Sequence, residues 1–219
     1  MKILELFAGS RSIGNTAEAL GHQVFSVDVK PFEGIDLVKD IEHLEFDDIP
    51  FIPHMIWASP PCTTYSLAGI SHHRHEGTLE PKTEFAEKSD RLVKRTLEII
   101  DYFEGFGAIY YIENPRATLR NTTMMQGIPR KTVWYCRYGS PIAKPTDIFS
   151  NNIYNPLFNE FGWKPRSECW NNNKHCHHEA APRGSRTGLQ GLKGNYERSK
   201  IPEQLCADVI NSSLDLFNG

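Results

Sequence analysis

Short apolar runs, each stopped by a turn signal, pattern the first half of the chain. Lys2–Phe7 is the first, with Glu5 set inside it, and Gly9–Gly14 turns the chain into a helix start at Asn15–Leu20. Gln23–Val27 reads as a second strand ending at Asp28, and an acidic turn follows over Ile35–Ile41. Met55–Ala58 is a third run, halted by Ser59-Pro60-Pro61. Over Ser89–Phe106 the period changes from two to 3.6: Leu92, Val93, Thr96, Ile99, Ile100 and Phe103 share one face, which predicts a helix. Ala108–Ile112 is a further buried strand, ending at Glu113-Asn114-Pro115. Thr132–Tyr138 is rich in β-formers, and Ile201–Leu216 reads as a last helix. Residues 63–85 look irregular, and 150–182, rich in Asn, Pro, His and Trp, predict a small loop-rich lobe. Strand, turn and helix alternating at this spacing predict an α/β fold with a mostly parallel sheet flanked by helices.

Composition narrows this without changing it. The 219 residues are 39% hydrophobic and 23% charged, ordinary for a soluble globular protein of one medium domain. No apolar run approaches the length of a membrane span, and the acid within the first run argues against a signal peptide, so a cytoplasmic protein without a membrane partner is expected. The five cysteines, an odd number, are expected to be reduced thiols. The net charge of −3 hides an asymmetry: residues 1–112 carry 10 Lys/Arg and 18 Asp/Glu, whereas 114–202 carry 14 Lys/Arg and 5 Asp/Glu. Between Arg116 and Lys144 there are six bases and no acid. That points to a basic face able to meet phosphates, or to a solvated surface of uneven charge.

Three candidate sites fall at predicted strand ends, where open α/β sheets bind ligands. Gly9 to Thr16 has the glycine spacing of a phosphate loop, but Asn15 stands where the lysine belongs, which demotes nucleotide hydrolysis. The same turn lets a nucleoside cofactor approach the backbone, with Asp28 accepting from ribose hydroxyls. At Cys62, two prolines stiffen the turn and fix the direction of the thiol, suiting it to be a nucleophile or, more blandly, a buried structural cysteine. At Glu113, a partly desolvated carboxyl oriented by Asn114 can hold a proton for a ring nitrogen, or simply cap a turn.

Taken together these residues resemble the cytosine-C5 DNA methyltransferase family. Glu5-Leu6-Phe7-Ala8-Gly9 is similar to its first cofactor motif, and Asp40-Ile41 to the step that contacts the adenine ring. Pro60 to Gly69 (P-P-C-T-T-Y-S-L-A-G) resembles the nucleophile motif, and Glu113-Asn114 the Glu-Asn motif. Arg186–Gly191 is a loose echo of a later segment, and Gly194-Asn195 with Ile201-Pro202 resembles the last motif. The chain departs from the family pattern at Arg11, where a second glycine is usual, at Thr63 and Pro115, and in the stretch Tyr196–Lys200.

The resemblance implies a Rossmann-like S-adenosylmethionine-dependent fold, with a catalytic part over 1–148 and 183–219 and an abbreviated target-recognition lobe over 149–182. It implies Cys62 as nucleophile, Glu113 and Asn114 at the cytosine ring, and Arg137 or Lys144 as a cation for the base or a phosphate. S-adenosylmethionine would be held by Phe7, Ala8, Gly9, Ser10, Asp28, Val29, Asp40, Ile41, Ser59, Pro60 and Asn195. Ser66, Arg74, Arg116, Arg183 and Arg186 would meet DNA, or RNA in the alternative, and the target base would have to leave its stack. A monomer is expected. A nucleic-acid-binding module with a decayed methylase fold is the competing class, for which Arg11 speaks and the intact Cys62, Glu113 and Asn114 do not. Cys169, Cys176 and His177 are candidate ligands for a structural zinc stapling the small lobe, with Cys136 a further donor if folding brings it near.

Overall fold

The computed structural model describes residues 1–169, 178 and 195–218. Seven strands form one sheet in the order β3-β2-β1-β4-β5-β7-β6. They are β1 (Lys2–Leu6), β2 (Gln23–Asp28), β3 (Leu37–Val38), β4 (Met55–Ala58), β5 (Ile109–Pro115), β6 (Arg130–Trp134) and β7 (Pro145–Phe149). The pairings among β1 to β5 are parallel, while β7 runs antiparallel to both β5 and β6. The sheet is thus Rossmann-like and mostly parallel, as expected.

Strand alternation builds two cores from one sheet. Leu4, Leu6, Ile56, Ala58, Tyr110 and Ile112 face α3 (Glu84–Glu104), which lays Leu92, Val93, Ile99, Ile100 and Phe103 on them. Ile3, Met55, Trp57, Ile109 and Tyr111 point the other way, under α1 (Ser12–Ala19) and α5 (Glu203–Asn218). Glu5 is on this second face. Its carboxylate accepts from the Ile13 amide (3.1 Å) and the Ser26 hydroxyl (2.9 Å), beneath the N-terminal turn of α1. That is why an acid interrupts the first apolar run. Burial pushes its pKa up to about 7 against those hydrogen bonds and the charge of Arg11.

The sequence-based boundaries shift for local reasons. α3 begins before Ser89 because the Thr83 side chain accepts from the Ala86 amide and caps it. The β-rich run splits into β6 and a 3-10 turn over Tyr135–Tyr138. Within 63–85 there are a 3-10 turn at Thr63–Tyr65 and a short helix α2 (Ile70–His73), and α4 (Asn195–Ser199) precedes α5. Ile153 and Trp163, from the segment expected to form a separate lobe, are buried in the second core, with Trp163 edge-on to Tyr111. The core therefore extends past residue 149.

Candidate active site

β4 and β5 are parallel neighbours with Ala58 opposite Ile112, so the residues just beyond them emerge together at the carboxyl edge of the sheet. Beyond β4, the Ser59 hydroxyl accepts from the Trp57 indole (2.9 Å), and Pro60-Pro61 carry the chain to Cys62 at the head of the Thr63–Tyr65 turn. Beyond Ile112 come Glu113 and Asn114, which are 6% and 1% exposed. The Asn114 amide donates to the Pro60 carbonyl (3.1 Å) and ties the two strand ends together. Its Oδ1 is buried without a hydrogen-bond partner among the described residues.

The Glu113 carboxylate accepts from the Tyr135 hydroxyl at 2.8 Å and has the Lys144 ammonium 3.6 Å away. Lys144 also donates to the Arg198 carbonyl (3.0 Å) and lies over the Tyr135 ring (4.5 Å). The Cys62 thiol is held above its ordinary pKa, first by burial and then by the negative charge of Glu113, while the charges of Lys144 and Arg198 pull it down. Tyr135 is raised well above the usual phenol range by burial and by Glu113, so it remains a donor. The unit is a protonated thiol facing a carboxylate that is itself held by a phenol and an ammonium.

Of the two candidate cations, Lys144 is at this site. Arg137 points elsewhere and donates to the Ser167 hydroxyl (2.8 Å). Tyr135 and Arg198 belong to the same constellation and were not anticipated. Tyr135 lies in what reads as plain strand, and only its approach to Glu113 across the β5-β7-β6 pairing reveals it.

The expected nucleic-acid contacts separate. Arg74 is a correction: its side chain is 1% exposed and lies inside the fold. Its guanidinium stacks over the Tyr65 ring (4.0 Å) and donates to the Thr64 carbonyl (3.0 Å), the Leu79 carbonyl (3.0 Å) and Asp90 (2.7 Å). Tyr65 also donates to Asp90 (2.6 Å), and Thr118 donates to the Tyr65 carbonyl (2.7 Å). The turn after Cys62 is therefore clamped from two sides. The Ser66 hydroxyl closes that turn, donating to the Thr63 carbonyl (2.9 Å). Arg116 is exposed, near the Trp134 ring. Arg120 and Arg130, two of the six bases in that stretch, pair with the buried Asp147. The basic face is smaller than the charge count suggests. Arg183 and Arg186 lie outside the described residues.

Of the expected cofactor residues, Phe7 to Ser10, Asp28, Val29, Ser59 and Pro60 lie at the ends of β1, β2 and β4, while Asp40 and Ile41 follow β3 and Asn195 is in α4. Phe7, Gly9 and Arg11 all have left-handed backbone (φ 56, 51 and 50), so the chain coils tightly past the end of β1, carrying Ala8 and Ser10. The Gly9 amide donates to Asp28 (3.0 Å), whose other oxygen takes the Lys30 amide (2.9 Å). Each oxygen keeps a lone pair for a ligand hydroxyl. Val29, next along, is 57% exposed, an apolar side chain available to a flat ring. Asp40 caps the 3-10 turn at Ile41–His43 and pairs with Lys88 (2.7 Å). Its pKa is lowered, because hydrogen bonds from Lys88 and the Glu42 amide outweigh burial. Ile41 is a second correction: it is 2% exposed, packed in the first core, and cannot cover a ligand. Asn195 opens α4. A cavity of about 300 Å³ lies against α1, lined by Ser10, Ser12, Asn15 and Lys200, and contains neither Cys62 nor Glu113. The chemistry is placed at the strand ends and not in this cavity.

Of the proposed metal ligands, Cys169 meets Cys136 and His178, while Cys176 and His177 lie outside the described residues.

Comparison with known proteins adds to this geometry. No family model matches the chain. Over 147 residues it is 30% identical to a frog virus 3 (isolate Goorha) protein described as a probable DNA (cytosine-5)-methyltransferase. The match spans 63% of this chain and 64% of that protein, less than two thirds of the relative's length. Two solved structures share the fold. One is the Entamoeba histolytica methyltransferase EhMeth (TM-score 0.52, 14% identity, 77% of this chain and 57% of that one). The other is an Escherichia coli prophage-encoded protein described as a putative DNA modification methyltransferase (TM-score 0.52, 14% identity, 100% of this chain and 69% of that one). Among the described residues no helix is long and apolar enough to cross a membrane.

Proposed function

We propose that this chain is a member of the cytosine-C5 methyltransferase family, to one of whose probable members it is 30% identical over 147 residues, and that it transfers a methyl group from S-adenosylmethionine to C5 of cytosine in DNA. The observation that carries the proposal is the meeting of Cys62 with Glu113, the latter held by Tyr135 and Lys144, at the ends of two adjacent parallel strands.

C5 of cytosine is a weak nucleophile, and the residues at the site suit a covalent route around that. The Cys62 thiol gives its proton to the Glu113 carboxylate as the sulfur adds to C6, and the electron pair displaced from the C5–C6 double bond is drawn toward N3, where Glu113 delivers that proton. Tyr135 and Lys144 fix the carboxyl for that transfer, and Asn114 fixes its strand end against Pro60. The ring is then enamine-like and C5 is nucleophilic. S-adenosylmethionine, when bound, supplies an electrophilic methyl group to it. Loss of the C5 proton to solvent, expulsion of the Cys62 thiolate from C6 and return of the N3 proton through Glu113 to that thiolate restore the aromatic ring and the resting site. Glu113 contributes a second way: its negative charge holds the thiol proton on, so taking up that proton and passing it to N3 couples the charge states of the two groups.

Asp28, the coiled Gly9 loop and exposed Val29 fit the donor's ribose and adenine. Arg116 and Ser66 fit the nucleic-acid backbone beside a base turned out of its stack. Residues 149–182 are too few for extensive target reading, so recognition is expected to be brief or assisted.

Nucleosides from matched DNA and RNA duplexes incubated with the protein and S-adenosylmethionine, measured by mass spectrometry, test this. 5-Methylcytosine from DNA, absent with Cys62→Ala, is the expected result. Product from RNA alone would replace the substrate. Unmodified cytosine in both, with donor binding intact, would overturn the activity.

A further inference from the structure

Cys136, Cys169 and His178 come from three separate stretches, yet one ligand atom of each lies within 4.8 Å of the other two. Cys136 is in the turn after β6, next to Tyr135; Cys169 is buried; Cys136 and His178 are partly buried. The Cys169 sulfur is 3.6 Å from the Nδ1 of His178. A tetrahedral ion with Zn–S of about 2.3 Å and Zn–N of about 2.05 Å sets its sulfur and nitrogen ligands roughly 3.6 Å apart. That edge has the length a metal requires. The other two edges, no longer than 4.8 Å, need a contraction of at most roughly 1.2 Å.

We propose that Cys136, Cys169 and His178 bind one structural zinc ion. The chemistry is self-consistent. Two thiolates and a neutral imidazole, coordinating through Nδ1 with its proton on Nε2, balance the two charges of the ion. A further donor completes the tetrahedron. The neighbourhood explains what the metal does. Arg166 lies over the Tyr138 ring (4.6 Å) and donates to the Arg137 carbonyl (2.9 Å), and Arg137 donates to Ser167. Residues 166–169 are therefore strapped across the Tyr135–Tyr138 turn by exposed polar contacts, which are individually weak. A metal at the end of that strap fastens it. It also holds the turn carrying Tyr135, the phenol that donates to Glu113. A short segment with little core of its own is where a metal staple is most effective.

The test uses the full chain purified without chelator or affinity metal. Elemental analysis is expected to find zinc close to one per chain. Replacement by Co²⁺ should give thiolate-to-metal charge transfer and the d–d bands of a tetrahedral site. Cys136→Ser, Cys169→Ser and His178→Ala should each lose the metal, whereas Cys206→Ala, a buried cysteine elsewhere in the second core, should keep it. His178→Ala safeguards the test against cysteine variants that fail to fold: with its circular dichroism unchanged, it should take up Co²⁺ with a weakened charge-transfer band or not at all. Absence of zinc after reconstitution overturns the proposal, as does a metal retained undiminished by all three variants. Recovery of a Cys136–Cys169 disulfide in fully active protein would overturn it equally.

Discussion

Replacing Arg74 with alanine removes, in one step, the donor of five hydrogen bonds: two to Thr64, one to Leu79 and two to Asp90. The guanidinium is 1% exposed and the Asp90 carboxylate 16% exposed. Breaking a buried pair by deleting one partner costs about 3–5 kcal/mol, because the remaining charge is stranded. Asp90 keeps the Tyr65 hydroxyl and some contact with water, which places this case near the lower end, about 3 kcal/mol. With a urea slope of about 2–3 kcal/mol per molar for a domain of this size, the midpoint should fall by about 1 M. The exposed Lys131→Ala serves as control and should move stability by no more than about 0.5 kcal/mol. The opposite reading, in which Arg74 swings out to a phosphate, makes different numbers. It predicts nearly unchanged stability and a salt dependence of DNA binding shallower by about one unit of slope. That pair of results would refute the buried-clamp account.

Glu113→Gln should lower the pKa of the Cys62 thiol, since it deletes the negative charge that holds the proton; iodoacetamide alkylation rates against pH would show the shift, while methyl transfer is lost. Tyr135→Phe keeps the buried ring but removes the donor to Glu113; kcat should fall by about tenfold, the worth of one hydrogen bond, with KM little changed. Glu5 is protonated more readily in the folded state than in the unfolded one, so the folded chain holds the extra proton between pH 4.5 and about 7 and stability falls as pH rises through that window. The loss is on the order of 3 kcal/mol, and Glu5→Gln should flatten the profile in urea titrations across that range.

The parallel strands and long helices were legible because burial on both sheet faces leaves unbroken apolar runs, and α3 shows its buried stripe at helical spacing. The site was legible where a motif sits at the end of such a run, as at Cys62 and Glu113-Asn114. It was not legible where an inner antiparallel strand hides its nature. β7 carries Pro145 and Asp147, neither a strand former, and is held by Arg120 and Arg130 reaching across to that buried acid. Since β7 and β6 bring Lys144 and Tyr135 to Glu113, missing the strand meant missing the phenol and leaving Arg137 and Lys144 undecided. Arg74 misled for a related reason: a base in a histidine-rich loop reads as solvated until a long-range partner, Asp90, is seen beneath it. Ile41 misled because its motif position says nothing about which way the side chain faces.

The carboxylate of Glu5 has a consequence for how this sequence can change. Gly14 lies in the first half of α1, where alanine would favour the helix by about 1 kcal/mol. A methyl group there would come within 2.7 Å of the Glu5 Oε2 and 3.2 Å of the Arg11 guanidinium. Glu5 cannot step aside, since Ile13 and Ser26 hold it. The gain at position 14 is thus reachable only after position 5 has shrunk, and the order of the two replacements is not interchangeable. One buried acid under a helix makes the route through neighbouring sequences directional.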